Sequence, residues 1–168
     1  VLVRRPKDPA KFNGVVEVEW LNVSGGLDAA PNWGFGNAEL LRSGFVWVGV
    51  SAQAVGVKSL KNDPGRYGTL DHPGDSYSYD IYSQVAEALR RPTSTNLLRR
   101  SRYKIRTMIG DGESQSAFRM VTYVNAIQPQ TGLFDGFFVH SRFASGAALT
   151  EGGGSTVPNP SFIRTDGK

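Results

Sequence analysis

The stretch 104–127, KIRTMIGDGESQSAFRMVTYVNAI, constrains the fold of this chain more than any other. It predicts a buried strand over residues 104–109, a tight glycine-rich turn, and an amphipathic helix over residues 115–127. Ser114 falls at the turn, with Gly110, Gly112, Ser116 and Ala117 around it. A serine on a sharp strand-to-helix turn has its hydroxyl pushed above the edge of a sheet. Small residues two before and two after it admit the strained backbone and the close packing. Gly112-Glu113-Ser114-Gln115-Ser116 is a G-x-S-x-S version of that pattern, with Ser116 small enough for the last position. The same residues also suit an ordinary turn with an N-capping serine.

The rest of the chain supplies a matching framework. Residues 1–9 form a basic, proline-containing lead-in that resembles the tail of an earlier strand. Residues 15–23 (VVEVEWLNV) start with apolar–polar alternation and are rich in β-branched residues, which predicts a strand. A turn over 22–28 follows, then a helix over 31–42 with Pro31 in its first turn and Gly44 as its C-terminal cap. Residues 45–51 (FVWVGVS) read as a strand buried on both faces. Residues 52–76 contain Asp63-Pro64-Gly65 and His72-Pro73-Gly74-Asp75 and read as a long irregular connection, a kind that is often functional. A helix over 77–90, a polar loop over 92–101 and a last strand over 136–140 complete the series. The alternation β-α-β-α-β-α-β implies an α/β fold: a mainly parallel sheet with helices on both faces, in three α/β/α layers. Ligand chemistry then belongs beyond the C-terminal strand ends, at residues 22–26, 51–56 and 110–116. Residues 143–168 read as a loose tail and 12–142 as the core of one partial domain.

Composition closes several other routes. With no cysteine there is no disulfide framework, thiolate metal site or cysteine nucleophile. No His/Asp/Glu cluster has metal-ligand spacing, so neither a metal nor a cofactor is expected. No apolar run approaches the ~18 residues of a membrane span. The net charge of +4 owes much to Arg90, Arg91, Arg99, Arg100, Arg102, Lys104 and Arg106, which fall close together. Only Tyr103 is interleaved among them, so a solvated connector is expected and nucleic acid is not an expected partner. Gly110-Asp111-Gly112 opens like a dinucleotide fingerprint but has Gln115 where the third glycine belongs.

If Ser114 is a nucleophile, it needs backbone N–H donors for a developing oxyanion. Gln115, the next residue, provides one; the glycine-bearing loop Asn22-Val23-Ser24-Gly25-Gly26 provides the other, with Ser24 and Gly25 as the candidates. EWLNVSGG, GVSAQAVGV, RYGTLDHPGDSYSYDIYSQ, GESQSAFRMVTYVNAI and DGFFVHSR, in that order, together resemble a family of bacterial α/β-hydrolase-domain proteins with a GESQS-type elbow. The resemblance implies a partial α/β-hydrolase sheet, a serine hydrolase acting on a small-molecule ester through Ser114, and an oxyanion site near Ser24 and Gln115. It also implies that the triad acid and histidine follow later than any segment here, so that this stretch alone has little turnover. Glu113, His140, Tyr67 and His72 are candidates to line the substrate pocket. Trp33, Tyr79 and Phe143 serve equally as walls or as packing aromatics. A non-catalytic α/β module binding a ligand or partner in the same crevice is the alternative.

Overall fold

The computed structural model describes residues 1–91, 97–98, 102–153 and 157–166. Five strands form one sheet: β1 (Leu2–Arg4), β2 (Val15–Trp20), β3 (Val46–Val50), β4 (Thr107–Glu113) and β5 (Gly136–His140). Their spatial order is β1-β3-β2-β4-β5. The pairs β2–β3, β2–β4 and β4–β5 are parallel, while β1 runs antiparallel along β3. The helices are α1 (Pro31–Arg42), α2 (Ala54–Leu60), α3 (Pro64–Tyr67), α4 (Ser78–Arg90), α5 (Gln115–Thr122) and α6 (Gln128–Thr131). From β2 the chain passes through α1 to β3 on one side, then returns to β4 on the other. That reversal opens a crevice at the C-terminal ends of β2 and β4.

The two faces of the sheet are covered differently. Val16, Val18, Trp20, Val46, Val48, Val50 and Met108 form a fully enclosed apolar layer together with Tyr82 of α4 and Met120 of α5. The alternate residues of β2 and β4, Glu17, Glu19 and Asp111, point to the opposite face, toward α1. There Glu19 accepts the N–H groups of Asn32 and Trp33, each at 3.0 Å. These are among the first N–H groups of α1, which has no side-chain cap of its own. A carboxylate at this end satisfies orphan donors and sits favourably against the helix dipole.

Several boundaries depart from those expected. The lead-in is not only a tail: residues 2–4 are a strand of this sheet. Residues 52–76 are not irregular throughout, since α2 and α3 lie within them. These helices span 7 and 4 residues and carry glycine, which is too little periodicity to register in the sequence. The strand expected at 104–109 is instead Thr107–Glu113 and runs through the glycines. At its start, Arg106 and Thr107 both aim their N–H groups at the Gly14 carbonyl, 2.8 and 3.1 Å away, which delays regular pairing. At its end, Gly112 pairs with Val139 and Glu113 with His140. The helix expected over 115–127 is α helical to Thr122 and π helical over Tyr123–Ile127.

The tail is tied down at several points. Ala147 N–H donates to the Phe118 carbonyl at 3.0 Å, and Thr122 Oγ1 donates to the Ala147 carbonyl at 2.5 Å. Residues 154–155 of its glycine-rich segment and most of the 92–101 loop lie outside the described residues. So do Arg99 and Arg100 of the basic cluster, whereas Arg90 pairs with Asp135 at 2.6 Å and Arg91 with Glu87 at 3.1 Å.

Candidate active site at the strand β4–helix α5 turn

Ser114 joins β4 to α5 with φ 53° and ψ −113°. A positive φ on a β-carbon-bearing residue is strained, and this ψ lies outside the small left-handed well as well. The surroundings hold the strain in place from several sides. Ser114 N–H donates to the His140 carbonyl at the end of β5, at 3.2 Å. Asn22 Nδ2 donates to the Glu113 carbonyl at 3.0 Å and to Glu113 Oε2 at 3.2 Å. Ser116 Oγ accepts the Glu113 N–H at 3.1 Å and donates to the Glu113 carbonyl at 2.8 Å. Ser116 therefore does more than fit where the usual pattern has glycine: its hydroxyl bonds both main-chain groups of Glu113.

The glycines before the turn let α5 seat directly on β4. A β-carbon at Gly112 would lie 2.5 Å from Met120 Cγ and 3.0 Å from the Ser116 carbonyl oxygen. At Gly110 it would lie 2.9 Å from the Phe137 ring. Close seating is what turns the chain so sharply that Ser114 leaves the sheet. Among the described residues Ser114 Oγ has no hydrogen-bond partner, and the residue is half-buried. It does not serve as a side-chain N-cap for α5.

The loop 22–26 lies against this turn. Besides the Asn22 contacts, Val23 N–H donates to Gln115 Oε1 at 3.3 Å. Ser24 N–H is turned back onto Asn22 Oδ1 at 2.9 Å, and Gly26 N–H onto the Val23 carbonyl at 2.9 Å. Gly25 N–H has no partner among the described residues. Gln115 is the first residue of α5, so its own N–H precedes the helical ladder. Main-chain donors at Gly25 and Gln115 thus flank the crevice that Ser114 borders.

The other candidate residues are distributed unevenly. Glu113 is at the turn, held by Asn22. His140 is beside it through its backbone, and its ring is bonded to Asn32 of α1 and to Ser141. Its Nε2 is 2.6 Å from Asn32 Oδ1 and its Nδ1 is 3.0 Å from Ser141 Oγ. His72 folds onto its own loop, with Nδ1 accepting the Gly74 N–H at 3.1 Å and Nε2 donating to the Ala52 carbonyl at 2.9 Å. Tyr67 lines a separate cavity of about 320 Å³ with Leu21, Asp28, Trp47 and Ser51. Trp33 stacks near Trp47 at 4.9 Å and Tyr79 near Trp20 at 5.4 Å, both as packing aromatics. Phe143 lies 6.2 Å from Phe118 and is exposed.

Sequence reasoning missed the polar set beneath the crevice. Asn32 Nδ2 donates to Asp111 Oδ1, so Asp111, Asn32 and His140 form one row. Burial, with the Glu17 and Glu19 carboxyls beside it, pushes Asp111 up to about 10. Burial also raises Glu19, against the pull of the Trp33, Asn32 and Trp47 N–H groups. The visible signal was the acidic pair in VVEVEW, but alternation alone assigns such residues to solvent. Among the described residues no group of three or more His, Asp or Glu side chains is placed to hold a metal ion. No helix among them is long and apolar enough to cross a membrane.

A mainly parallel sheet with this strand order, carrying a strained serine between a central strand and the helix seated on it, defines a hydrolase-type α/β domain. The family comparison agrees: the model of the alpha/beta hydrolase domain family matches residues 1–168, and the chain belongs to that family. No curated protein and no solved structure matches it.

Proposed function

We propose that this domain carries the nucleophile of a serine hydrolase that cleaves carboxylic esters of small molecules through an acyl-enzyme at Ser114. The observation that carries the proposal is the Ser114 backbone, φ 53° and ψ −113°, on a serine whose hydroxyl has no partner among the described residues. Strain of this kind costs about 1–3 kcal/mol and persists where the surroundings impose it, commonly at functional sites. Ser114 Oγ adds to the ester carbonyl, and the oxyanion that forms accepts hydrogen bonds from Gln115 N–H and the loop at residues 24–25. Of that loop's candidate donors, Gly25 N–H has no partner among the described residues, and Ser24 N–H opens if it leaves Asn22 Oδ1. The alcohol departs, and water releases the acid from the ester of Ser114. A base must take the serine proton in the first step. His72 and His140 both have their ring nitrogens engaged elsewhere, so the proposal assigns the base to neither of them as they are placed here. Ser114→Ala in the native protein should abolish labelling by a fluorophosphonate probe; labelling that persists in that variant would sink the assignment.

The engagement of both histidines also favours a second reading, a non-catalytic module that binds a ligand in the same crevice. Hydrolysis of a short-chain nitrophenyl ester by the native protein, lost in Ser114→Ala, counts against it.

A further inference from the structure

A row of hydrogen-bonded side chains runs from the apolar core to the loop beside Ser114. Trp20 Nε1 donates to Gln53 Oε1 at 3.2 Å, and Gln115 Nε2 donates to the same oxygen at 3.0 Å. Gln115 Oε1 in turn accepts the Val23 N–H at 3.3 Å. On its other side, Gln53 Nε2 donates to Asp75 Oδ2 at 3.3 Å. Asp75 also accepts from Ala54 N–H at 2.7 Å and pairs with Arg119 of α5 at 3.2 Å.

The chemistry of the two ends fixes the direction of every amide between them. An indole N–H only donates, so Gln53 must turn its oxygen to Trp20. A carboxylate only accepts, so the nitrogen of Gln53 must face Asp75. Gln115 then has to present its nitrogen to Gln53, which leaves its oxygen for the main-chain N–H of Val23. Trp20 is fully buried and Gln53 nearly so, so breaking the row strands donors and acceptors away from water. Gln115 thereby acts twice: its backbone N–H follows Ser114 directly, and its side chain grips the loop that carries the opposing donors.

We propose that Gln115 and Gln53 are positioning residues of the oxyanion site, setting the separation between the first N–H of α5 and the N–H groups of residues 22–26. This rests on the reading of Ser114 as nucleophile. The tie from Asn22 to Glu113 remains when the amide pair is lost, so the loop loosens rather than detaches. Removing an oxyanion donor outright costs about 10²–10³ in kcat, so a donor held less firmly should cost about tenfold.

The test uses Gln115→Met, which keeps the backbone N–H and the side-chain length but removes both side-chain bonds, with Gln53→Met as its counterpart should the first fail to fold. In the native protein, kcat for a short-chain nitrophenyl ester should fall about tenfold while KM stays within about twofold, the pattern of an interaction made only in the transition state. Amide hydrogen exchange at Val23 should become faster in the same variants. Faster exchange with unchanged kcat, or a loss appearing wholly in KM, overturns the positioning role; unchanged exchange overturns the tether. If Ser114→Ala keeps wild-type kcat, the nucleophile reading fails instead, while exchange at Val23 still reports on the tether.

Discussion

The two faces of the same strands are built on opposite principles. On the α4–α5 face, Tyr82 is enclosed by Trp20, Tyr123 and Phe134 with ring centroids 5.0 to 5.3 Å away. On the α1 face, Glu19 sits directly opposite Asp111 across β2 and β4. The first face gains stability from area removed from water and is indifferent to direction. The second gains it only if each polar atom finds a partner, so it fixes orientation. Ser114 is where the faces meet. Gly110 and Gly112 present no side chain to α5, while Asp111 and Glu113 bond to α1 and to the loop after β2. The apolar face brings the helix close; the polar face holds the strand ends in register beneath the crevice.

The sharpest way to break the contrast is Tyr82→Ala. Truncating a fully buried aromatic removes its packing and leaves a cavity, so a loss of about 3–5 kcal/mol is expected in denaturant unfolding. Its hydroxyl also donates to the Val18 carbonyl at 2.5 Å. It also accepts the Asp111 N–H at 3.4 Å. Tyr82→Phe loses these two bonds and keeps the ring, and the difference between the two variants separates packing from hydrogen bonding.

The polar face should respond to pH instead. Asp111 is raised from the ordinary carboxyl value to about 10, so the folded chain keeps a proton that the unfolded chain releases. Stability from this group is complete below the unfolded carboxyl pKa and declines as pH rises toward 10, by up to about 1.4 kcal/mol per pH unit. Unfolding midpoints should therefore be higher at pH 5 than at pH 8. Asp111→Asn has no proton to lose and should flatten the slope. Some slope remains, because burial also raises Glu19 and Asp28. A slope unaltered by Asp111→Asn would show that the acidic layer does not behave as described.

The smallest expected effect is at the junction. Ser114→Gly relieves the positive φ and should raise stability by about 1 kcal/mol, since glycine reaches such angles without the side-chain clash. A fall in the unfolding midpoint would mean that Ser114 is not held under strain.

Much of this was legible in advance. The bounds of α1 and β5 follow from Pro31, the Gly44 cap and the run GFFVH. The turn at Ser114 was visible because small residues cluster there for a local steric reason. Less legible were the extension of β4 through Gly110–Gly112, the helix α2 within residues 52–76, and the engagement of the His140 ring. Each depends on partners far along the chain: β5 for the strand, Asp28 and Asp75 for α2, Asn32 for His140.

By itself, then, the sequence determined the α/β alternation and the position of the strained serine, because periodicity and steric allowance are local properties. Only the tertiary structure decided that Glu19 and Asp111 are buried, that Asn22 and Gln115 lock the loop to the turn, and that Ser114 Oγ has no partner among the described residues. Those outcomes depend on which groups meet at sequence separations of 79 to 92, and hydrogen-bond partners that far apart leave no local pattern.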